Sequence, residues 1–241
     1  MKQQFKKIGI VGGMGPLATL NLYEQIVQLT PASKDQDHLP VVINITPQIP
    51  DRSDYILGRG ENPKEALIIS ATELKKAGAQ ILAIPCNTAH FFITDIKQSL
   101  PSCEIVDMIF ETKEYLEKKL SLKNKKPLIG LLATEGTIKS KLYQKYFKGY
   151  KFVFLNKGDQ AKLVNTAIYG KKGIKNGYTK NNRKLLRNAC KLLQRQGAEL
   201  IILGCTEISM VMSKEKNNGV RYLNPIKILA ISLINKSLNY S

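Results

Sequence analysis

The sequence predicts an α/β protein made of two pseudo-symmetric halves, each a parallel sheet covered by helices. Apolar runs of strand length alternate along the chain with amphipathic segments of helical length. This alternation is typical of parallel sheets built from right-handed β-α-β units. In addition, two pairs of segments repeat at nearly the same spacing, which indicates that one half is a diverged copy of the other.

The individual elements follow from hydrophobic periodicity. Seven runs have the length and composition of strands: residues 8–11, 41–46, 81–84, 104–106, 128–132, 152–155 and 200–203. Six segments have a helical pattern: residues 17–29, 63–77, 91–99, 110–120, 138–146 and 180–196. Because a helical segment separates most consecutive strands, the strands of each half are expected to run parallel.

The internal repeat is clearest around two cysteines. The segment AGAQILAIPCNT at residues 77–88 lies opposite QGAELIILGCTE at residues 196–207, so Cys86 and Cys205 are separated by 119 residues. Independently, IGIV at residues 8–11, followed by Gly15, lies opposite IGLL at residues 129–132, followed by Gly136, at a spacing of 121 residues. In each half a strand therefore ends in a cysteine, and short polar residues that can start a helix follow it.

This placement predicts an active site. Ligands of open α/β sheets bind beyond the carboxyl ends of the strands, so both cysteines are expected to face a cleft between the two halves. Two like acid/base groups suit the inversion of a stereocentre, where one removes a proton from Cα and the other adds one on the opposite face. A thiol suits this role because a helix N-terminus or a nearby cation lowers its pKa from about 8.5. Cys103 and Cys190 have no counterpart, and they are interpreted as structural.

The internal repeat also divides the chain into two domains. They are expected at residues 1–108 plus 213–241, carrying Cys86, and at residues 109–212, carrying Cys205.

Composition limits the remaining possibilities. Four cysteines without paired spacing favour reduced thiols in the cytoplasm, and no apolar run approaches the roughly 20 residues that span a bilayer. The net charge of +18 comes with scattered lysines and no recognition motif, which favours a solvated surface over a nucleic-acid partner.

Seven motifs then support a family resemblance. They are GGMGPLAT (12–19), TPQIPDRS (46–53), GRGENP (58–63), PCNTAH (85–90), GLLATEGT (130–137), IYGKKGIKNG (168–177) and GCTEIS (204–209). In this order they resemble the aspartate/glutamate racemase family, and most closely its aspartate racemases, which work without pyridoxal phosphate. The two cysteine motifs are specific, whereas GGMGP alone would be weak.

The resemblance implies two flavodoxin-like halves, a homodimer, and interconversion of L- and D-aspartate or glutamate without cofactor or metal. It implies Cys86 and Cys205 as the proton donors and acceptors. It further implies a set of substrate-binding residues, namely Arg52, Asn87, Thr88, Ala89, Lys175 and Thr206. An arginine suits such a substrate because its planar fork binds a carboxylate through two hydrogen bonds.

The sequence alone leaves some roles and alternatives open. Glu207 either polarises the second thiol or is only a carboxylate in the first turn of a helix, and His90 is interpreted as a capping or packing residue. Glutamate racemases carry Asp-Ser-Gly where this chain has GGMG, and Asn224 replaces the aspartate usual in the family. The alternatives are a related racemase of other amino acids or hydantoins, an arylmalonate decarboxylase, a dinucleotide-dependent oxidoreductase and a basic nucleic-acid-binding module. The presence of both cysteines disfavours the decarboxylase, and the absence of an acidic residue after the second strand disfavours the oxidoreductase.

Overall fold

A computed structural model of the chain describes residues 5–119, 126–180, 182–212, 216–217 and 220–239. The chain divides into two compact units. The first extends to Glu111 and takes up the chain again from Ile226, and the second comprises Thr112–Pro225. Within the described residues, no helix combines the length and the apolar character needed to cross a membrane.

Strands and helices are numbered in chain order. The strands are β1 (Ile8–Gly12), β2 (Val41–Ile45), β3 (Ile81–Ala83), β4 (Glu104–Val106), β5 (Ile129–Ala133), β6 (Phe152–Val153), β7 (Leu200–Gly204), β8 (Lys216–Asn217) and β9 (Val220–Leu223). The α-helices are α1 (Pro16–Leu29), α2 (Arg52–Ile56), α3 (Lys64–Lys76), α4 (Ile93–Ser99), α5 (Met108–Lys119), α6 (Glu135–Lys139), α7 (Leu142–Tyr146), α8 (Lys157–Asp159), α9 (Thr166–Tyr169), α10 (Asn182–Arg195), α11 (Thr206–Val211) and α12 (Pro225–Ser237). The described residues also form 3-10 helices at Asp35–Asp37, Thr88–Phe92 and Ile174–Asn176, and a π-helix at Gln160–Asn165.

The first unit is a three-layer sandwich. Its parallel sheet has the strand order β2-β1-β3-β4. On one face, Leu22 of α1 and Leu229 of α12 belong to the core cluster that includes Ile8. On the other face, helices α3 and α4 supply Leu67 and Ile96 to a second cluster. Strands covered on both faces read as continuous apolar runs, which is why β1 and β3 were recognisable in the sequence.

The second unit repeats this topology. Its sheet has the order β6-β5-β7-β9-β8, parallel except for β8, which pairs antiparallel with β9. Ile8 of β1 pairs with Ile81 of β3, and Ile129 of β5 pairs with Leu200 of β7. In the two sequence repeats, Ile8 corresponds to Ile129 and Ile81 corresponds to Leu200, so equivalent strands pair in the same way in both units. The prediction of two pseudo-symmetric α/β halves is therefore confirmed.

Helices α2 and α12 were not among the predicted segments, and three further details differ from the sequence prediction. The helix predicted over residues 138–146 is two short helices, α6 and α7, because Lys141 between them adopts a left-handed conformation with φ of 53°. The helical stretch formed by α8, the π-helix and α9 was not predicted. The chain was also expected to return to the first half at about residue 213, whereas Val220–Leu223 forms β9 beside β7 and the return begins at Ile226. Residues 120 and 181, within two predicted helices, lie outside the described residues.

Candidate active site

In the first unit, β1 and β3 are neighbours, but the chain leaves them toward opposite edges of the sheet. Such a topological switch point opens a crevice at the carboxyl ends of the strands. The loop after β1 lies close to the end of β2. The approach is so close that a Cβ on Gly13 would lie 2.5 Å from the carbonyl carbon of Thr46. Gly13 also has φ of +99°, so both the spacing and the backbone conformation require glycine here.

Cys86 lies three residues beyond the end of β3, at this switch point. Its backbone N–H donates to the carbonyl of Ile84 over 2.8 Å, and its side chain is buried. The next three residues, Asn87, Thr88 and Ala89, are buried as well, and Thr88 is the first residue of the 3-10 helix. The structure therefore places four of the predicted site residues in one buried turn.

His90 holds this turn in place. Its Nδ1 lies 2.8 Å from the carbonyl oxygen of Cys86, and its Nε2 lies 3.0 Å from the backbone nitrogen of Met108. Since Nε2 must accept from that N–H, Nδ1 carries the proton and donates to Cys86. Burial lowers the pKa of His90, an effect that the nearby Asp107 carboxylate opposes. The imidazole is therefore a neutral link between the Cys86 turn and the first residue of α5, a positioning role that the sequence did not specify.

Arg52 is the first residue of α2 and is buried. Asp51 caps this helix by accepting from the backbone N–H groups of Ser53 and Asp54, and Arg52 Nη1 donates to the carbonyls of Ile49 and Pro50 over 3.1 and 3.0 Å. These bonds fix the plane of the guanidinium.

The helix that carries Arg52 packs on the 3-10 helix that follows Cys86. The rings of Tyr55 in α2 and Phe92 in the 3-10 helix lie 5.6 Å apart between centroids. The first unit therefore brings the predicted carboxylate ligand and the predicted catalytic turn onto packed elements. Neither α2 nor its cap Asp51 was predicted from the sequence, although aspartate is a residue type that N-caps helices.

In the second unit, Cys205 follows β7, the equivalent of β3, and it is the N-cap residue of α11. Its Sγ donates to Glu207 Oε2 over 3.1 Å, and Thr206 Oγ1 donates to the same oxygen over 3.1 Å. The other oxygen, Oε1, accepts from Lys175 Nζ over 2.9 Å. The structure thus joins Lys175, Thr206 and Cys205 through Glu207. Contact with the second thiol was one of the two roles that the sequence left open for Glu207.

The pKa values of Cys205 and Glu207 are shifted in opposite directions. Burial raises the pKa of the Cys205 thiol well above its ordinary value, and the negative charge of Glu207 adds to the rise while Lys175 opposes it. Burial alone would also raise the pKa of Glu207, but the Lys175 ammonium and the hydrogen bonds from Lys175 and Cys205 outweigh burial and lower it. The cluster therefore consists of a protonated thiol and an ionised carboxylate with its counter-ion.

The switch point of the second unit also includes the loop after β5. Thr134 caps α6, with its Oγ1 accepting from the backbone of Thr137, and both threonines are buried. The buried side chain of Gln160, from the π-helix, donates to the carbonyl of Ala133 at the end of β5 over 2.9 Å. The π-helix has no sequence signal of its own, so Gln160 was not among the predicted residues.

Within the part of the chain that the structure describes, no group of three or more His, Cys, Asp or Glu side chains is arranged to hold a metal ion. The four cysteines are free of disulfide bonds. The predicted site residues thus fall into two sets, one in each unit: Arg52 and Cys86–Ala89 in the first, and Lys175, Cys205 and Thr206 in the second.

Comparisons with known proteins identify the family and agree with the fold. A family model described as Asp/Glu/hydantoin racemase matches residues 11–233. The broad-specificity amino-acid racemase RacX of Bacillus subtilis is 30% identical over 237 residues, which are 97% of this chain and 99% of that protein. Among solved structures, the Picrophilus torridus aspartate racemase superposes with a TM-score of 0.81 at 26% identity, covering 96% of this chain and 94% of the other. A Francisella tularensis glutamate racemase in complex with D-glutamate shares the fold, with a TM-score of 0.64 at 15% identity, covering 99% of this chain and 85% of the other.

Proposed function

The chain is an amino-acid racemase that belongs to the Asp/Glu/hydantoin racemase family, and we propose that it interconverts L- and D-aspartate by proton transfer between Cα and the thiols of Cys86 and Cys205. The observation that carries this proposal is the duplicated topology. Each unit has a buried cysteine beyond the carboxyl end of the corresponding strand, β3 in one and β7 in the other, and four strands of the second sheet repeat the order of the first.

The chemistry requires two such groups. Racemisation breaks the Cα–H bond on one face and forms a new one on the opposite face, so one thiolate takes a proton while the other cysteine gives one. The roles exchange when the other enantiomer is the substrate, which is why two residues of the same kind serve better than an unlike pair. A thiol can do both because its pKa lies close enough to neutrality for either protonation state to be reached.

Substrate recognition is proposed to rest on the first unit. The Arg52 guanidinium has a fixed plane and is suited to a carboxylate through paired hydrogen bonds. Asn87, Thr88 and Ala89 are proposed to hold the amino acid beside Cys86, and Thr206 is proposed to do so beside Cys205. A dicarboxylic amino acid has one carboxylate at Cα and a second at the end of its side chain, and Arg52 is proposed to bind the second, which neutral and basic amino acids lack.

A broader substrate range is the second candidate. The similarity to RacX, which extends over nearly the whole of both chains, favours an enzyme that accepts several amino acids. A racemase assay over a panel of single enantiomers separates the two. Turnover confined to aspartate, or to aspartate and glutamate, supports the acidic specificity, while comparable turnover of neutral and basic amino acids supports the broad one.

The two-thiol mechanism is tested in deuterated water. With either enantiomer, the product should carry deuterium at Cα, because the incoming proton comes from a thiol that has exchanged with solvent. Cys86→Ser and Cys205→Ser should each abolish racemisation, and each should keep at most slow exchange with one enantiomer, opposite in the two variants. Cys103→Ser is the matched control and should remain active. Full activity in either Cys86→Ser or Cys205→Ser contradicts the mechanism.

Two further parts of the proposal follow from the family resemblance. Activity should survive dialysis against a chelator and treatment with carbonyl reagents, because neither metal nor pyridoxal is invoked. The enzyme is proposed to work as a homodimer in the cytoplasm, where its thiols stay reduced. Light scattering coupled to size-exclusion chromatography measures the assembly, and a mass of one chain would contradict the dimer.

A further inference from the structure

The two thiols differ in what surrounds them, although the strands that carry them match. Two residues after Cys205 stands Glu207, a carboxylate that is 4% exposed and accepts from the thiol. Two residues after Cys86 stands Thr88, which carries no charge. The two halves thus differ at equivalent positions, where one has a carboxylate beside the thiol and the other has a neutral hydroxyl.

The charges around Cys205 are few and paired. Within the described residues, the charged side chains that act on this thiol are Glu207, from its own helix α11, and Lys175, from the 3-10 helix Ile174–Asn176. Lys175 Nζ lies 2.9 Å from Glu207 Oε1 and also lies over the ring of Tyr169, 5.8 Å from its centroid. A buried carboxylate is costly without a counter-ion, so Lys175 is what allows Glu207 to be ionised beside the thiol.

An ionised carboxylate can only accept hydrogen bonds. The contact between Cys205 Sγ and Glu207 Oε2 therefore requires that sulfur carry its proton. Loss of that proton would place a thiolate 3.1 Å from a carboxylate oxygen, and like charges at this distance disfavour each other. Cys86 lies in a turn held by the neutral His90 and has no such carboxylate beside it in sequence.

We propose that Glu207 keeps Cys205 as the protonated member of the pair in the resting enzyme, and that Lys175 acts as the counter-ion of Glu207 and not as a ligand of the substrate. This inference rests on the proposed two-thiol function. In one direction, the Cys86 thiolate forms an S–H bond with the proton leaving Cα. The Cys205 S–H bond breaks to form the new Cα–H bond, and its electron pair stays on sulfur. The repulsion between the Cys205 thiolate and Glu207 then favours recovery of the proton.

The first experiment measures Cys205 without any substrate. The full-length enzyme is treated with iodoacetamide over a pH series, and mass spectrometry quantifies alkylation at each cysteine. Glu207→Gln should increase the rate at Cys205 about tenfold below its pKa, which corresponds to a pKa lower by about one unit, while the rates at Cys103 and Cys190 stay as they are. Glu199→Gln is the matched control, because Glu199 stands at the opposite end of β7, and it should change none of the rates. An unchanged Cys205 rate in Glu207→Gln overturns the proposal.

The second experiment measures the pH dependence of kcat/KM with the best substrate of the enantiomer panel. The active form of a thiol pair has one proton, so the profile is bell-shaped and its alkaline limb reports loss of the second proton. In Glu207→Gln the alkaline limb should move to lower pH while the acid limb stays in place. A purely structural role for Glu207 would lower the whole curve without moving either limb, and that result overturns the proposal.

The role of Lys175 is decided by a double variant. Lys175→Met leaves Glu207 buried without its counter-ion and should impair the enzyme strongly. Combining it with Glu207→Gln removes both charges, so KM should return to the value of Glu207→Gln alone. If Lys175 binds the substrate, KM stays as high in the double variant as in Lys175→Met, which overturns the counter-ion assignment. The proposed function fails separately, if Cys86→Ser or Cys205→Ser racemises normally.

Discussion

Replacing His90 by phenylalanine should destabilise the first unit strongly while preserving its core volume. The change removes both the donor to the Cys86 carbonyl and the acceptor of the Met108 N–H. Each lost partner of a buried polar group costs about 1–3 kcal/mol, so the expected loss is about 2–6 kcal/mol. Because the Cys86 turn loses its link to α5, racemase activity should fall as well, even at temperatures where the variant is folded.

The same residue should make stability depend on pH. Burial lowers the pKa of His90 in the folded enzyme below its ordinary value of 6.5, so the unfolded chain binds a proton that the folded chain does not. The contribution of His90 to the free energy of unfolding is then fully present above about pH 6.5, and it declines as the pH falls below that value. If the folded imidazole stays neutral throughout, the decline from about pH 7 to about pH 5 amounts to about 2 kcal/mol.

Urea unfolding at a series of pH values measures both effects. The chain has only two histidines, and the other, His38, lies in an exposed connection and is half-buried. His38→Gln is therefore the control and should preserve both the stability and its decline below pH 6.5. His90→Phe should lose the decline in this pH range. A wild-type stability that is flat between pH 7 and pH 5, or a decline that persists in His90→Phe, refutes the assignment of a neutral bridging imidazole.

Three further substitutions test other parts of the structure. Arg52→Lys keeps the charge but loses the planar fork, so KM for aspartate should rise by about one to two orders of magnitude, and an unchanged KM would remove Arg52 from the site. Gly13→Ala forces a Cβ against the carbonyl of Thr46 at a φ of +99° and should cost about 1–3 kcal/mol, measured by urea unfolding, whereas wild-type stability would show that the loop can shift. Lys141→Gly relieves a left-handed residue between α6 and α7 and should raise stability by up to about 1 kcal/mol; a loss in calorimetry would mean that the entropy of glycine in the unfolded chain dominates.

The duplicated fold was predictable because its strands are buried on both faces. β1, β3, β5 and β7 read as uninterrupted apolar runs, and a strand covered by helices on both sides tolerates little else. The placement of Cys86 and Cys205 in the fold was predictable for a related reason. They stand where the apolar run stops and a helix starts, a position that a parallel sheet exposes to ligands.

What escaped prediction depends on contacts distant in sequence. Whether β9 pairs with β7 is decided by which sheet edge is open, and the short run from Val220 to Leu223 gives no sign of it. The neutral bridge of His90 depends on the N-terminus of α5, eighteen residues further on. Likewise, the ion pair between Lys175 and Glu207 spans thirty-two residues, so periodicity could not choose Lys175 over Lys171 or Lys172.

Thermodynamics limits how the difference between the two thiols can affect the kinetics of the two enantiomers. In achiral water the two enantiomers have equal free energies, so kcat/KM must be the same in both directions whatever surrounds Cys86 and Cys205. A carboxylate beside Cys205 alone can therefore change the ratio of kcat between the two enantiomers only if it changes the ratio of KM by the same factor. It does so by making one protonation state of the free enzyme more abundant than the other. If Glu207 has the role proposed above, the ratio of kcat for L- to D-aspartate should change in Glu207→Gln, and the ratio of KM should change by the same factor. Measured kcat/KM values that differ between enantiomers would indicate a faulty assay, whereas kcat ratios equal in wild type and Glu207→Gln would show that the carboxylate does not bias the resting enzyme.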